Sequence, residues 1–242
     1  MSPRRVGILG GMGPEATVLL MQKVIAAVPA RDDADHVPLI VDQNPQVPSR
    51  IKRLIEGTGE DPGPVLAAMA RRLEATGAEA LAMPCNTAHH YAPAIRAAVG
   101  VPFIDMVALS AGRARELAGP GGVVGILASP AVRRIGLFDA AFGALGLAPR
   151  YAADEDAMLA AIRRIKAEGP VTPARVALKA ASAALLAEGA QVQMIACTEF
   201  SLIPEAVARG ATVFDTLDVL VERIVGFSLG ADEAAGRRRA SH

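Results

Sequence analysis

Short apolar runs entered from a glycine or a polar turn recur along the chain: Val6-Gly7-Ile8-Leu9-Gly10, Ala80-Leu81-Ala82-Met83-Pro84, Val124-Gly125-Ile126-Leu127-Ala128 and Val192-Gln193-Met194-Ile195-Ala196. Runs of this kind suit strands buried on both faces of a parallel sheet. Between them lie Ala/Leu/Arg-rich stretches of helical length, Pro64 to Thr76, Asp154 to Glu168 and Thr172 to Glu188, with the apolar spacing of helices packed on a sheet. Asp154-Glu155-Asp156 is expected to cap its helix. A last helix, Thr216 to Leu229, is expected to pack back on the first half. Alternating strands and helices imply right-handed βαβ units, hence an α/β fold.

Three blocks recur in the same order. Val6 to Gly10 matches Val124 to Ala128, and Gly100-Val101-Pro102-Phe103-Ile104-Asp105 matches Gly210-Ala211-Thr212-Val213-Phe214-Asp215. Between these, Leu73 and Gly77-Ala78 match Leu185 and Gly189-Ala190, and each pair leads to a cysteine eight residues after its glycine. The repeat predicts two pseudo-symmetric domains, each a parallel sheet flanked by helices, with the active site in the cleft between them. Residues 1–106, completed by 216–230, would form the first domain and 107–215 the second. Residues 231–242 read as a disordered tail.

A chain of 242 residues with 52% hydrophobic content can bury a core without staples. Lys plus Arg and Asp plus Glu are 25 each, so no net field draws the chain to nucleic acid or an anionic membrane. A small-molecule substrate fits better. The two cysteines form no CxxC pair and no metal-ligand spacing, which argues against a disulfide framework, a redox motif or a metal site, and makes the cytoplasm the expected location. The basic start, Met1 to Arg5, precedes an apolar run too short for a signal peptide.

Cys85 and Cys197 are the repeat-equivalent pair, each at the carboxyl end of a predicted strand and each with a Thr one or two residues later. Ligands of open parallel sheets bind beyond such ends, so a pseudo-twofold axis would make two thiols flank one ligand. A helix N-terminus beside each cysteine would favour a thiolate by about 0.3–1 kcal/mol. Inverting an α-carbon requires a base on one face and an acid on the other, and two facing thiols supply both. Asn86, Thr87 and Thr198 are candidate donors to the carbanion, and ordinary helix-capping residues as well.

Gly10-Gly11-Met12-Gly13-Pro14-Glu15, Asn44-Pro45-Gln46-Val47-Pro48-Ser49-Arg50, Met83-Pro84-Cys85-Asn86-Thr87-Ala88-His89 and Cys197-Thr198-Glu199 together resemble the aspartate/glutamate racemase family. The resemblance implies a racemase independent of pyridoxal phosphate and other cofactors, two similar α/β domains, and a homodimer. By that likeness Cys85 and Cys197 are the proton donor and acceptor. Met12, Gln46, Asn86, Thr87, Thr198 and Glu199 would line the substrate site, and Arg50 and Lys166 would meet carboxylates. Lys166, near a helix end, also reads as an ordinary surface residue. Ser49 stands where the family often has Asp, and Ala128 to Arg134 replaces a Thr-rich segment.

Other readings stay open from sequence. A related isomerase or hydantoin racemase shares the cysteine logic. Gly11-Met12-Gly13-Pro14-Glu15-Ala16 satisfies a G-x-G-x-x-A dinucleotide pattern with Asp42 ending the next apolar run. His89 or His90 could serve a nucleophilic Cys85 in a hydrolase. A two-domain cleft can also simply bind a ligand.

Overall fold

The computed structural model describes residues 2–230 and is α/β, with two parallel sheets flanked by helices. The first begins with β1 (Val6–Gly10), α1 (Pro14–Ala26), β2 (Leu39–Gln43), α2 (Gly63–Ala75) and β3 (Ala80–Ala82), ordered β2-β1-β3. A parallel bridge between Leu81 and Phe103 adds the Gly100–Asp105 run beside β3, after the short α3 (Ala92–Arg96) and before α4 (Met106–Ala118). The second sheet runs through β4 (Val123–Ala128), α5 (Pro130–Arg134), α6 (Asp139–Ala144), β5 (Ala148–Tyr151), α7 (Glu155–Glu168), α8 (Thr172–Ala187), β6 (Val192–Ala196) and β7 (Thr212–Asp215). Its order, β5-β4-β6-β7, repeats that of the first. The chain closes with α9 (Thr216–Leu229).

The sequence repeat is a packing unit. A Cβ on Gly7, in the central strand β1, would lie 2.7–3.1 Å from atoms of Leu81, Ala78 and Leu73. On Gly125 in β4 it would lie 3.0–3.3 Å from Gln193, Leu185 and Ala190, the repeat partners of those three residues. In each sheet, glycine thus lets the end of the covering helix and the adjoining strand press against the central strand. Both helices end alike, on Gly77 (φ 91°) and Gly189 (φ 88°), with Ala78 N–H donating to Leu73 O and Ala190 N–H to Leu185 O. This is the Schellman ending, which only glycine adopts cheaply.

The capping expected of Asp154 is present: its carboxylate accepts the Ala157 N–H at 2.8 Å. Asp105 and Asp215, repeat partners, cap α4 and α9 in the same way. On α9, Leu217, Leu220, Val221 and Ile224 are buried with Val6, Ile8, Leu20, Val24 and Ala80, so the last helix completes the core of the first sheet. Ser228 Oγ donates to Arg4 O at 2.7 Å and secures the helix beside the start of β1. The tail expected over 231–242 lies outside the described residues. Among the described residues no helix is long and apolar enough to cross a membrane.

Asp215 is buried, and one carboxylate oxygen, Oδ2, has no hydrogen-bond partner. Oδ1 accepts from Ser201 Oγ at 2.9 Å and Leu217 N–H at 2.8 Å. Burial pushes its pKa from 3.8 up to about 6. A raised carboxyl contributes stability that is present below its unfolded value and lost as pH rises through about 6. Asp215→Asn keeps the cap and removes the charge. Urea unfolding should therefore find the variant gaining on the wild type by about 2–3 kcal/mol between pH 4 and pH 7.5. A gap independent of pH would contradict this account.

Candidate active site

The carboxyl ends of both sheets face one cavity of about 530 Å³. Its wall combines Met12 from the turn after β1, Arg50 beyond β2, Cys85 and Thr87 beyond β3, Ile162, Ile165 and Lys166 from α7, and Cys197 and Glu199 beyond β6. Ser129, one residue past β4 and repeat-equivalent to Gly11, completes the far side. Cys85 is 8% exposed and Cys197 is 6% exposed, both as free thiols. Each belongs to a different apolar cluster, Cys85 with Met12, Val47, Met69 and Met83, and Cys197 with Ile162, Ile165, Phe200 and Ile203. Each sulfur therefore belongs to its own half while touching the shared space.

The backbone at the cysteines departs from expectation in two ways. Cys197 directly succeeds β6, but Cys85 lies three residues past β3, because Pro84 has no N–H to continue the ladder. The chain then enters a 3₁₀ turn after each cysteine, Thr87–Tyr91 and Phe200–Leu202, in place of a long α-helix. The expected helix dipole is thus absent, and Cys197 goes the other way. Burial and then the Glu199 carboxylate push its thiol well above the usual range, with Lys166 opposing. Cys197 Sγ donates to Glu199 Oε2 at 2.9 Å, and the Lys166 ammonium binds Glu199 Oε1. Burial would lower the Lys166 pKa, but Glu199 more than offsets it, and Lys166 stays cationic.

Arg50 rides on the segment after β2. Its Nη1 donates to Val47 O at 3.2 Å and Pro48 O at 3.0 Å, and its other N–H groups have no protein partner among the described residues. A fork held at one tip and open at the other is suited to a carboxylate. Further along, Arg134 donates to Ile55 O at 2.8 Å and Arg163 pairs with Glu56 at 2.7 Å. The strap carrying Arg50 is thereby fastened to α5 and α7 of the second sheet.

Three of the expected site residues do not line the cavity. Gln46 is exposed, while its neighbours Pro45 and Val47 face the cavity. Thr198, between the lining residues Cys197 and Glu199, is itself buried and outside the lining. Asn86 is buried too, and its Nδ2 donates to Thr216 Oγ1 at 2.9 Å, which donates to Ile195 O at 3.0 Å. That chain ties the residue after Cys85 to the strand carrying Cys197. Its Oδ1 has no partner. Ser129, Ile162 and Ile165 join the wall without having been expected there. The Ile162, Ile165 and Lys166 spacing on one helical face is the signal that could have found two of them.

His89 does not serve a nucleophile. Met106 N–H donates to its Nε2 at 3.2 Å, so Nδ1 carries the hydrogen and donates to Cys85 O at 2.8 Å. Burial lowers its pKa, and both ring nitrogens are taken by backbone. Ser201, four residues after Cys197, anchors the other cysteine turn through Asp215. His90 is exposed. At the Gly11-Met12-Gly13 turn, Glu15 occupies the first turn of α1 and lines the cavity, where a phosphate would meet like charge.

The family model described as Asp/Glu/hydantoin racemase matches residues 9–224. The broad specificity amino-acid racemase RacX of Bacillus subtilis (strain 168) is 34% identical over 106 residues, 42% of this chain and 45% of that protein, so less than half of that relative is spanned. Among solved structures, Picrophilus torridus aspartate racemase superimposes with a TM-score of 0.82 at 24% identity, covering 93% of this chain and 94% of that one. An aspartate racemase homologue from Pyrococcus horikoshii OT3 gives 0.71 at 20% identity, covering 93% and 99%. Glutamate racemase from Francisella tularensis subsp. tularensis SCHU S4, in complex with D-glutamate, gives 0.65 at 15%, covering 96% and 83%. At these identities the structures establish a shared fold.

Proposed function

The chain belongs to the Asp/Glu/hydantoin racemase family, and on that premise we propose that it racemises an acidic amino acid, aspartate or glutamate, without a cofactor, using Cys85 and Cys197 as a two-base pair. The observation that carries this reading is that both cysteines, at repeat-equivalent ends of β3 and β6, line the same cavity. One sulfur as thiolate takes the α-proton from one face, and the other as thiol delivers a proton to the opposite face. The substrate leaves inverted and the two sulfurs have exchanged roles.

The α-proton is weakly acidic, so negative charge developing on the α-carboxylate must be stabilised. Arg50, held by two carbonyls with its remaining donors open, supports a fixed carboxylate clamp. Lys166 supplies a second cation across the cavity, and Thr87 a hydroxyl beside Cys85. Met12, Ile162 and Ile165 provide apolar wall that limits water around the sulfurs. Arg50 has open donors for one carboxylate, and a second carboxylate of the substrate would share the Lys166 ammonium with Glu199.

The test is to incubate the protein with single enantiomers of aspartate and glutamate in deuterated water. Inversion should accompany uptake of one deuterium at the α-carbon of each inverted molecule. If neither inversion nor α-exchange occurs with these or with any member of a broad amino-acid panel, the proposal is wrong.

A further inference from the structure

The duplication makes one asymmetry legible. Two residues after each cysteine a side chain lines the cavity, Thr87 on one side and Glu199 on the other. Glu199 Oε2 accepts from the Cys197 thiol at 2.9 Å, and its Oε1 binds Lys166. The Glu199 side chain is 10% exposed, so water screens this contact little. Cys85 Sγ has no hydrogen-bond partner among the described residues, and no carboxylate holds its proton.

A carboxylate oxygen accepts from sulfur only while sulfur keeps its hydrogen. Once Cys197 is a thiolate, two negative groups stand at contact distance in a buried place. From this geometry, and resting on the racemase reading above, we propose that Glu199 is a positioning residue that keeps the proton on Cys197, so the free enzyme rests with Cys85 as base and Cys197 as acid. Glu199 then acts through Cys197 and is not a substrate ligand. In the first half-reaction the substrate C–H bond breaks toward Cys85 sulfur, and the Cys197 S–H proton passes to the opposite face of the carbon. This leaves a Cys197 thiolate against Glu199. That form either inverts a substrate molecule of the opposite hand or returns to rest, with Cys197 taking a proton from solvent and Cys85 losing one.

The charged groups around Cys197 come from several elements: Glu199 on its own turn, Lys166 on α7, Arg50 on the strap after β2, Glu15 on α1, and Cys85 across the cavity. Arg50 is bonded to carbonyls, and Lys166 to Glu199 itself. Among the described residues, Glu199 is the one anion bonded to the Cys197 sulfur. Burial acts in the same direction on that thiol.

The experiment titrates Cys197 directly. In a Cys85→Ser background, alkylation of Cys197 by iodoacetamide is measured against pH by peptide mass spectrometry, with and without Glu199→Gln. The substitution keeps volume, removes the charge and offers a donor to the thiolate. The thiolate midpoint should fall by at least one pH unit, which is about tenfold faster alkylation at a fixed pH below both midpoints. Glu199→Thr, which copies the Thr87 side, should shift it in the same direction and serves if the first variant does not fold. In the enzyme with both cysteines, Glu199→Gln should move the alkaline limb of kcat/KM to lower pH. An unmoved Cys197 titration, with only KM raised, makes Glu199 a ligand for the substrate ammonium and overturns the proposal. A shifted titration in a protein whose wild type inverts no amino acid removes the racemase reading and leaves the Glu199–Cys197 pairing standing.

Discussion

Replacing either Cys85 or Cys197 by serine is expected to lower the rate of inversion by about 10²–10⁴-fold, with the fold retained. The hydroxyl nearly matches the thiol in size, so the clusters around Met83 and Phe200 keep their packing. An alcohol is a far weaker acid than a thiol, so neither its ionised form as base nor its proton as acid is available near neutrality. The two losses should not add. Inversion needs both faces served, so the double variant should be scarcely worse than either single one. Single variants should retain some α-deuterium exchange without inversion, from the remaining sulfur returning a proton to the face it came from. Measuring inversion and exchange separately for each enantiomer checks this. Full inversion in the Cys85→Ser protein would end the two-base model.

The second large effect concerns Gly11. Its φ is 92°, and a Cβ there would stand 2.4 Å from the carbonyl carbon of Asn44 and 2.5 Å from its oxygen. Both are backbone atoms, so neither can step aside as a flexible side chain would. Gly11→Ala combines a left-handed conformation, costing about 1 kcal/mol, with overpacking of about 1–3 kcal/mol. For a chain of this size that corresponds to a Tm lowered by roughly 5–15 °C. Met12 and Arg50 ride on the two strand ends that must part, so kcat/KM should fall as well. Gly121→Ala is the comparator, since its φ is 70° with nothing within 4 Å, and it carries the conformational cost alone. Equal melting temperatures for the two variants would show that the approach of Asn44 is not what constrains Gly11.

Much of this is visible before folding because the repeat records a contact set. Gly7, Leu73, Ala78 and Leu81 recur as Gly125, Leu185, Ala190 and Gln193 because each quartet packs a helix end against a central strand. The strands of that unit read as buried runs. Strand β5 does not, because it is an edge strand carrying Pro149, with alternate residues in solvent. The paired cysteines are legible as one position occurring twice. Their surroundings are less so, because motif strings do not say which side of a turn a residue takes. In Cys85-Asn86-Thr87, the first and third face the cavity while Asn86 turns inward to Thr216. The ion pair of Lys166 with Glu199 and the clasps from Arg134 and Arg163 join residues far apart in the chain. Their signal is a distance in space, which local periodicity does not carry.

The placement of α9 has a consequence for the order in which the molecule can be made. Leu217, Leu220, Val221 and Ile224 lie in the core under the first sheet, beside Val6 and Ile8. On the ribosome, β1 leaves the exit tunnel long before those partners are synthesised. Its apolar face must wait, exposed or provisionally covered, while the second sheet gathers its strands from a continuous stretch. The half that is translated first is therefore the half that is finished last.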